Sequence, residues 1–373
     1  MKRTDTDVCV IGGGPAGLAA AIAARRQGFR VVVADIQRPP IDKACGEGLM
    51  PDSLAELARL GVSLDGTPQG SFRGIRFVGP QNSVQAEFPR GRGIGIRRTV
   101  LHATLIDAAE RIGIEMHWGV RVGGMRPGAV RVDGDAIGCK WIIGADGQNS
   151  QVRQRAGLNP GKLFERRFAL RQHFTTPDPP EFVEIYWGED SQAYITPMAP
   201  NEVCVALIAR RKLTSFATEL RNLPHLRERL RGARPSSAVR GAVTLSNRLR
   251  SVHSDHVALI GEASGSVDAI TGQGLALAFR QALSLGRALA ADDLSIYGSM
   301  HRQLDSLPQF MRRTMLLMDK SSFVRRRVLR ALDSRPPLFE RMLAVHVGEL
   351  PLSRFGAASV ADLGWHMLAT QAS

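Results

Sequence analysis

The chain has 373 residues, 44% of them hydrophobic, enough to bury a large core and to form two domains or one with a sizeable insertion. Lys and Arg outnumber Asp and Glu by 49 to 35, a net charge of +14, which favours anionic partners without choosing among phosphates, acidic lipids and nucleic acid. Four scattered cysteines (Cys9, Cys45, Cys139, Cys204) with no C-x-x-C indicate neither a zinc site nor a disulfide framework, so no metal is expected. No apolar run approaches the roughly 20 residues that span a bilayer, and the N-terminus runs almost directly into a strand, without a signal-peptide pattern. A reducing, cytoplasmic setting is expected.

An apolar run from Val8 to Ile11 turns at Gly12-Gly13-Gly14, enters an Ala-rich helical pattern at Pro15-Ala16, leaves it at Gly28 and returns as Val31-Val32-Val33. This is one βαβ unit. Gly12, Gly14 and Gly17 fit G-x-G-x-x-G: the first allows the tight turn, the second lets a pyrophosphate approach the backbone, and the third lets helix and strand pack. The helix N-terminus then points free N–H groups at phosphates. Asp35, closing the second strand, stands where a carboxylate accepts hydrogen bonds from a ribose.

After the break at Arg38-Pro39-Pro40 comes Lys43-Ala44-Cys45-Gly46-Glu47-Gly48, a loop whose glycines imply a close backbone approach; the alternative for Cys45 is a small buried hydrophobe. A helix follows, expected to be capped by Asp52 or Ser53. Between Ser71 and Phe88 the period becomes two, a hairpin around Gly79-Pro80-Gln81-Asn82. Helical period resumes near Arg97, so Arg97 or Arg98 stands at a helix start, where a guanidinium reaches a diphosphate, or is simply solvated. A buried strand from Trp141 to Gly144 ends in Asp146-Gly147, the position of a ligand crevice in a doubly wound sheet; Ser150 and Arg153 open a helical turn. Residues 160–250 read as strands, interrupted by one helix over about Phe216 to Arg231. The sheet they form is expected to be a separate layer and one wall of a substrate pocket. A last apolar strand, Val257 to Ile260, leads to Gly261-Glu262-Ala263, then Asp268, then Gly272-Gln273-Gly274 at a helix N-terminus, where the dipole favours negative charge.

In order and spacing, Gly12-x-Gly14-x-x-Gly17, the GADGxxSxVR run from Gly144 to Arg153, and G-E-A followed by G-x-G from Gly261 to Gly274 resemble the three fingerprints of the p-hydroxybenzoate hydroxylase-like flavoproteins, over roughly residues 4 to 290. The resemblance implies an α/β fold: a Rossmann-type, glutathione reductase-like FAD-binding domain (1–70, 97–160, 251–292), an inserted antiparallel substrate sheet (71–96, 161–250) and a helical C-terminal region (293–373). It also implies FAD as cofactor. Gly12 to Gly17 with Asp35 would hold the ADP half. Arg98, in Arg98-Thr99-Val100-Leu101-His102, is the likelier FAD contact of the arginine pair. Asp146-Gly147 would lie near the pyrophosphate and the approach of a pyridine nucleotide, Glu262 near the ribitol, and Gly272-Gln273-Gly274 near the ring. Glu262 stands where aspartate is usual, which bears on its ribitol contact.

Lys43 to Gly48 is similar to the K-x-C-G-x-G segment of the geranylgeranyl reductase-like branch, where the cysteine approaches the isoalloxazine. Tyr194-Ile195-Thr196-Pro197 looks like that branch's cavity-lining strand, so Cys45, Gly46 and Tyr194 join the expected site. The tryptophan-rich halogenase motif is absent. The leading expectation is a monooxygenase that takes electrons from NADPH or NADH and hydroxylates an aromatic, polyketide-like or lipidic molecule. Reduction of an isoprenoid C=C bond by the same flavin is the runner-up, and a non-catalytic FAD-binding module the third.

Between Met311 and Arg341 nine basic residues (Arg312, Arg313, Lys320, Arg325, Arg326, Arg327, Arg330, Arg335, Arg341) meet three acidic ones (Asp319, Asp333, Glu340), with methionines and aliphatics at helical spacing. Two expectations follow: peripheral contact with an anionic membrane, or core-facing methionines beneath a solvated arginine face. Nucleic-acid binding has no motif behind it.

Overall fold

The computed structural model describes residues 4–79, 82–158, 160–266 and 269–355, with side chains at 160–164, 269, 310 and 314 left aside. Pro80-Gln81 of the hairpin turn, Asp268 and the last part of the 293–373 region lie outside the described residues.

Six strands form the first sheet, in the order His253–Ser254, Val257–Leu259, Trp141–Gly144, Val8–Ile11, Val31–Asp35, Glu115–Trp118, parallel except for the first. Because side chains alternate along a strand, each face is a separate apolar surface. Val8, Val10, Val31, Val33, Trp141 and Ile143 enter one core with the helices Pro15–Arg26, Arg98–Arg111 and Gly274–Ala290. Cys9, Ile11, Val32, Ala34, Ile142 and Leu259 enter another, against Val130, Val132 and Ile137 of a small sheet. Covering both faces is what lets these strands read as unbroken apolar runs. Ile11 pairs with both Gly144 and Ala34, so the loops at 12–14, 35–37 and 145–147 leave the sheet at one edge.

The second sheet runs Gly265–Ser266, Arg240–Leu249, Pro160–Thr175, Glu202–Ala209, Ser191–Ala199, Val183–Trp187, Gly74–Val78, Ser83–Glu87. Its pairings are antiparallel except Val183–Trp187 with Gly74–Val78. One face carries Phe174, Tyr186, Ile195 and Val205, covered by Phe216, Leu223 and Leu226. The other carries Phe77, Val84, Ile185 and Trp187, covered by Met315, Met318, Leu332, Phe339 and Leu343. Those residues come from the helices Ser306–Lys320, Ser322–Ser334 and Pro336–His346. Phe77 stacks on Phe339 with centroids 4.9 Å apart, a geometry worth roughly 0.5 to 1.5 kcal/mol beyond the area buried.

Three expectations need correction. The helix at Pro51–Arg59 is preceded by Met50 as cap: Pro51 presets the first turn, and Asp52, already inside it, is buried against Arg280 Nη2 at 2.8 Å. The single helix over 216–231 is two, Phe216–Arg221 and Pro224–Arg229; Pro224 has no N–H to continue the first and drives Leu223 out of helical geometry. The arginine face is not uniformly solvated: Arg312 and Arg325 are buried, Arg325 donating to the Met318 carbonyl and standing 5.5 Å from the Trp187 ring centroid.

Candidate active site

The three glycines of the first turn divide by what surrounds them. Gly12 has φ +110°, and a Cβ there would lie 2.3 Å from the Ala145 carbonyl oxygen; at Gly17 it would lie 1.8 Å from Gly12 O. Both are demanded by packing. At Gly14 nothing lies within 4 Å of the same position, so its side-chain space forms an open cradle at the N-terminus of the Pro15–Arg26 helix. Asp35 holds the turn through both oxygens, Oδ2 accepting from Gly13 N at 2.6 Å and Oδ1 from Gln37 N at 2.7 Å, each retaining acceptor capacity. His102 closes the turn from beneath. Its Nδ1 accepts from Ile41 N, so Nε2 carries the proton and donates to Gly13 O at 2.8 Å. Burial holds its pKa below the ordinary value.

Arg98 is the first residue of its helix, and its Nε is buried without a hydrogen-bond partner. Its neighbour Arg97 is spent on Glu202. An orphaned guanidinium nitrogen beside an open glycine cradle is what a bound diphosphate would satisfy, so the residues present fit FAD. Asp146 lines the same space, but its carboxylate also accepts from Ser150 Oγ, Gln151 N and Val152 N, capping the short helix that follows. Gly147 has φ +77° and faces Glu262.

The Lys43–Gly48 loop is fixed at both ends. Lys43 Nζ meets the Glu262 carboxylate at 2.8 and 2.6 Å. Glu47, in the left-handed region at φ +56° and buried, accepts from Arg98 N at 2.9 Å and pairs with His173. Arg171 stands 3.7 Å from Glu47 and binds Asp42. Donor atoms of Glu47, His173 and Cys204 lie within 4.8 Å of one another, yet these groups are already committed to each other and to Arg171. Burial raises the Cys204 thiol well above its usual range. Cys45 is half-buried on the cavity wall with Glu47 N directed at its Sγ, and Gly46 O accepts from Thr196 Oγ1 at 2.8 Å.

All the sequence-expected positions except Gly17 line one cavity of about 880 Å³: Gly12, Gly14, Pro15, Ala16, Asp35, Cys45, Gly46, Arg98, Asp146, Gly147, Tyr194, Gly261, Glu262, Gly272, Gln273 and Gly274. Gly272 and Gly274 present open space like Gly14. Gln273 between them is buried, donates through Nε2 to His346 O at 2.7 Å, and leaves its Oε1 unpartnered. Beyond this end the wall is apolar, formed by Phe72, Phe77, Ile185, Met315, Met318 and Phe339. Tyr194 joins the two parts. Its hydroxyl lies 2.9 Å from Gln192 Oε1 and 3.0 Å from Ile270 O, and Gln192 Nε2 donates to Asp319 Oδ1 at 2.7 Å. Asp319 in turn pairs with the buried Arg167 at 3.0 Å.

Sequence reasoning missed this chain and the Glu47–His173–Arg171 cluster. Glu47 lies 126 residues from His173 and Arg167 lies 152 from Asp319, so no local spacing signals these long-range pairs.

The sequence signature described as "FAD binding domain" matches residues 5–293. Menaquinone reductase of Mycolicibacterium smegmatis is 28% identical over 304 residues, covering 73% of each chain. Rifampicin monooxygenase of Streptomyces venezuelae is 24% identical over 311 residues, 77% of this chain and 64% of that one. Among solved structures, a flavoprotein/dehydrogenase from Cytophaga hutchinsonii superposes with a TM-score of 0.83 at 18% identity, over 98% of this chain and 100% of that chain. With the open cradle, the orphaned Arg98 nitrogen and a match over most of its length, the chain belongs to the FAD binding domain family, the p-hydroxybenzoate hydroxylase-like group, and is an FAD-dependent oxidoreductase.

Proposed function

We propose that this oxidoreductase takes electrons from NADPH or NADH and reduces a C=C bond of a large apolar molecule of quinone or isoprenoid type. The carrying observation is the continuity of one cavity from the Gly14 cradle, past Cys45 and Tyr194, to a wall of aromatic and methionine side chains. Bound FAD supplies the hydride chemistry. The chain's residues do the rest. Gly12 to Gly17, Asp35 and Arg98 would hold the dinucleotide half, and the helix N-terminus at Gly272–Gly274 would favour negative charge at the ring. The Lys43–Glu262 pair and Glu47 set the loop that carries Cys45. Phe77, Met315 and Phe339 exclude water and orient an apolar substrate. The similarity to a menaquinone reductase and to the K-x-C-G-x-G loop supports reduction. Hydroxylation remains the second reading, favoured by the similarity to a rifampicin monooxygenase. Mass analysis of products from candidate quinones, isoprenoid lipids and phenols separates them: gain of two hydrogens is expected, and gain of one oxygen would overturn the proposal.

A cytoplasmic protein peripheral at the membrane fits such a substrate. Among the described residues no helix is long and apolar enough to cross a membrane. However, Leu317 and Phe323 are 62% and 55% exposed, amid exposed Lys320, Arg326 and Arg330, on helices whose inner faces line the cavity. Co-sedimentation with anionic but not zwitterionic vesicles is the expected result, and equal recovery in both would remove this role from the basic surface.

A further inference from the structure

A second cavity, of about 620 Å³, lies across the Gly265–Ser266 segment from the first and shares Leu277 and Gln281 with it. Its wall carries four arginines, Arg248, Arg250, Arg302 and Arg313, against a single acid, Asp305. That acid neutralises little. Arg248 Nε stays 3.9 Å from it, Arg302 is turned to Ser299 Oγ, and Arg250 and Arg313 have no carboxylate within ion-pair distance among the described residues. His301 at the cavity edge adds no counter-charge. Its Nε2 accepts from Gln281 Nε2 at 3.0 Å, while Gln281 Oε1 accepts from Gly261 N at 2.9 Å. Burial, with Arg302 and Arg248 acting in the same direction, pushes the imidazole down to about 4. The neutral polar groups are small and numerous: Asn247, Ser251, Ser264, Ser266.

We propose that this basic pocket binds phosphate groups, and that their carrier is the reducing dinucleotide, NADPH in preference to NADH. Four guanidinium groups lining one concavity, two of them with no carboxylate within ion-pair distance among the described residues, are suited to phosphate recognition. The volume exceeds what a lone phosphate fills and falls in the range of organic-ligand sites. The shared wall places the carrier beside the chamber that fits FAD. A surplus of arginine favours the dinucleotide with the additional phosphate. This inference rests on the nucleotide reductant proposed above.

The test uses full-length, FAD-loaded protein and calorimetric titration with NADP⁺, NAD⁺, inorganic phosphate and short-chain phosphatidylglycerol. The parent is compared with Arg250→Gln/Arg313→Gln and with Arg221→Gln/Arg227→Gln, which removes the same charge from exposed positions outside the pocket. NADP⁺ should bind the parent more tightly than NAD⁺ and be displaced by phosphate. The pocket variant should weaken NADP⁺ by about tenfold or more, lose competition by phosphate, and raise the KM for NADPH more than it changes kcat; the control should do none of these. Unchanged NADP⁺ affinity in the pocket variant, or equal weakening in both variants, would overturn the site. Displacement of NADP⁺ by the phospholipid but not by phosphate would assign the pocket to a lipid headgroup and overturn the dinucleotide. If neither dinucleotide reduces the flavin while phosphate binding still depends on Arg250 and Arg313, the reductant reading fails and the phosphate site stands.

Discussion

The two ends of the large cavity are built on opposite principles. At the Gly12–Gly17 end the recognition surface is backbone: a turn, a helix N-terminus and the space left by absent side chains, all within one stretch of sequence. At the far end it is side chain: Phe72 and Phe77 from strands against Met315, Met318 and Phe339 from the C-terminal helices, which are tied to the sheet by the buried Arg167–Asp319 pair and to the start of the Gly274–Ala290 helix by the Gln273–His346 contact. A backbone site tolerates change around it but not within it. A side-chain wall depends on partners more than a hundred residues away.

The sharpest way to break the comparison is Gly14→Val against Gly17→Ala. Gly14 is open and Gly17 meets Gly12 O, so the first variant should fold but emerge colourless, while the second should lose folded yield; a Gly14→Val protein as yellow as its parent would show that the cofactor does not use this cradle. At the other end, Asp319→Asn removes the carboxylate charge that stands 3.0 Å from the buried Arg167 guanidinium. Loss of one partner of a buried pair costs about 3 kcal/mol or more, so the urea midpoint should fall substantially, and an unchanged midpoint would mean that the pair does not anchor the wall.

A smaller effect belongs to His346, buried where the last described long helix meets Gln273. Burial pushes its pKa down to about 4, against about 6.5 in an unfolded chain. The unfolded state therefore binds more protons between these values. Stability from this group is complete above about 6.5 and is lost as pH falls toward 4, by about 3 kcal/mol at the acid end. His301, pushed to about 4 as well, acts in the same window. His346→Gln should narrow the difference in urea stability between about pH 7 and about pH 4.5; a difference equal to the parent's would contradict this assignment.

The smallest effect is at Gly274, where added bulk meets no protein atom. Gly274→Ala should keep the fold and FAD but shift the flavin midpoint negative, in proportion to the roughly 0.3 to 2 kcal/mol a helix N-terminus offers an anion. An unchanged potential at full occupancy would remove the ring from this end of the helix.

The sequence made the backbone end legible because its determinants are local. Gly12, Gly14, Pro15 and Asp35 sit in one βαβ unit, and strand period two with helix period 3.6 located the elements around them. The start of the Pro51 helix and the break at Pro224 depart from the polar and apolar pattern for a local reason: in both places a proline at the first helical position sets the helix start. The side-chain end was legible only in part. Methionine spacing in 311–318 showed an inward face, yet nothing in the run of arginines distinguished Arg325, buried near Trp187, from exposed Arg326. Glu262 was placed at the cofactor by resemblance, and the structure adds its partner Lys43, 219 residues away, which spacing cannot show.

The central claim is that the cavity serves reduction of an apolar double bond rather than oxygen insertion. Its most direct test is NADPH consumption by the FAD-loaded protein with a menaquinone or isoprenoid acceptor, with oxygen present and with oxygen removed. Turnover that continues without oxygen, with the acceptor gaining two hydrogens, is the predicted result. Turnover that stops when oxygen is removed and resumes when it is restored, with one oxygen atom entering the product, would contradict it.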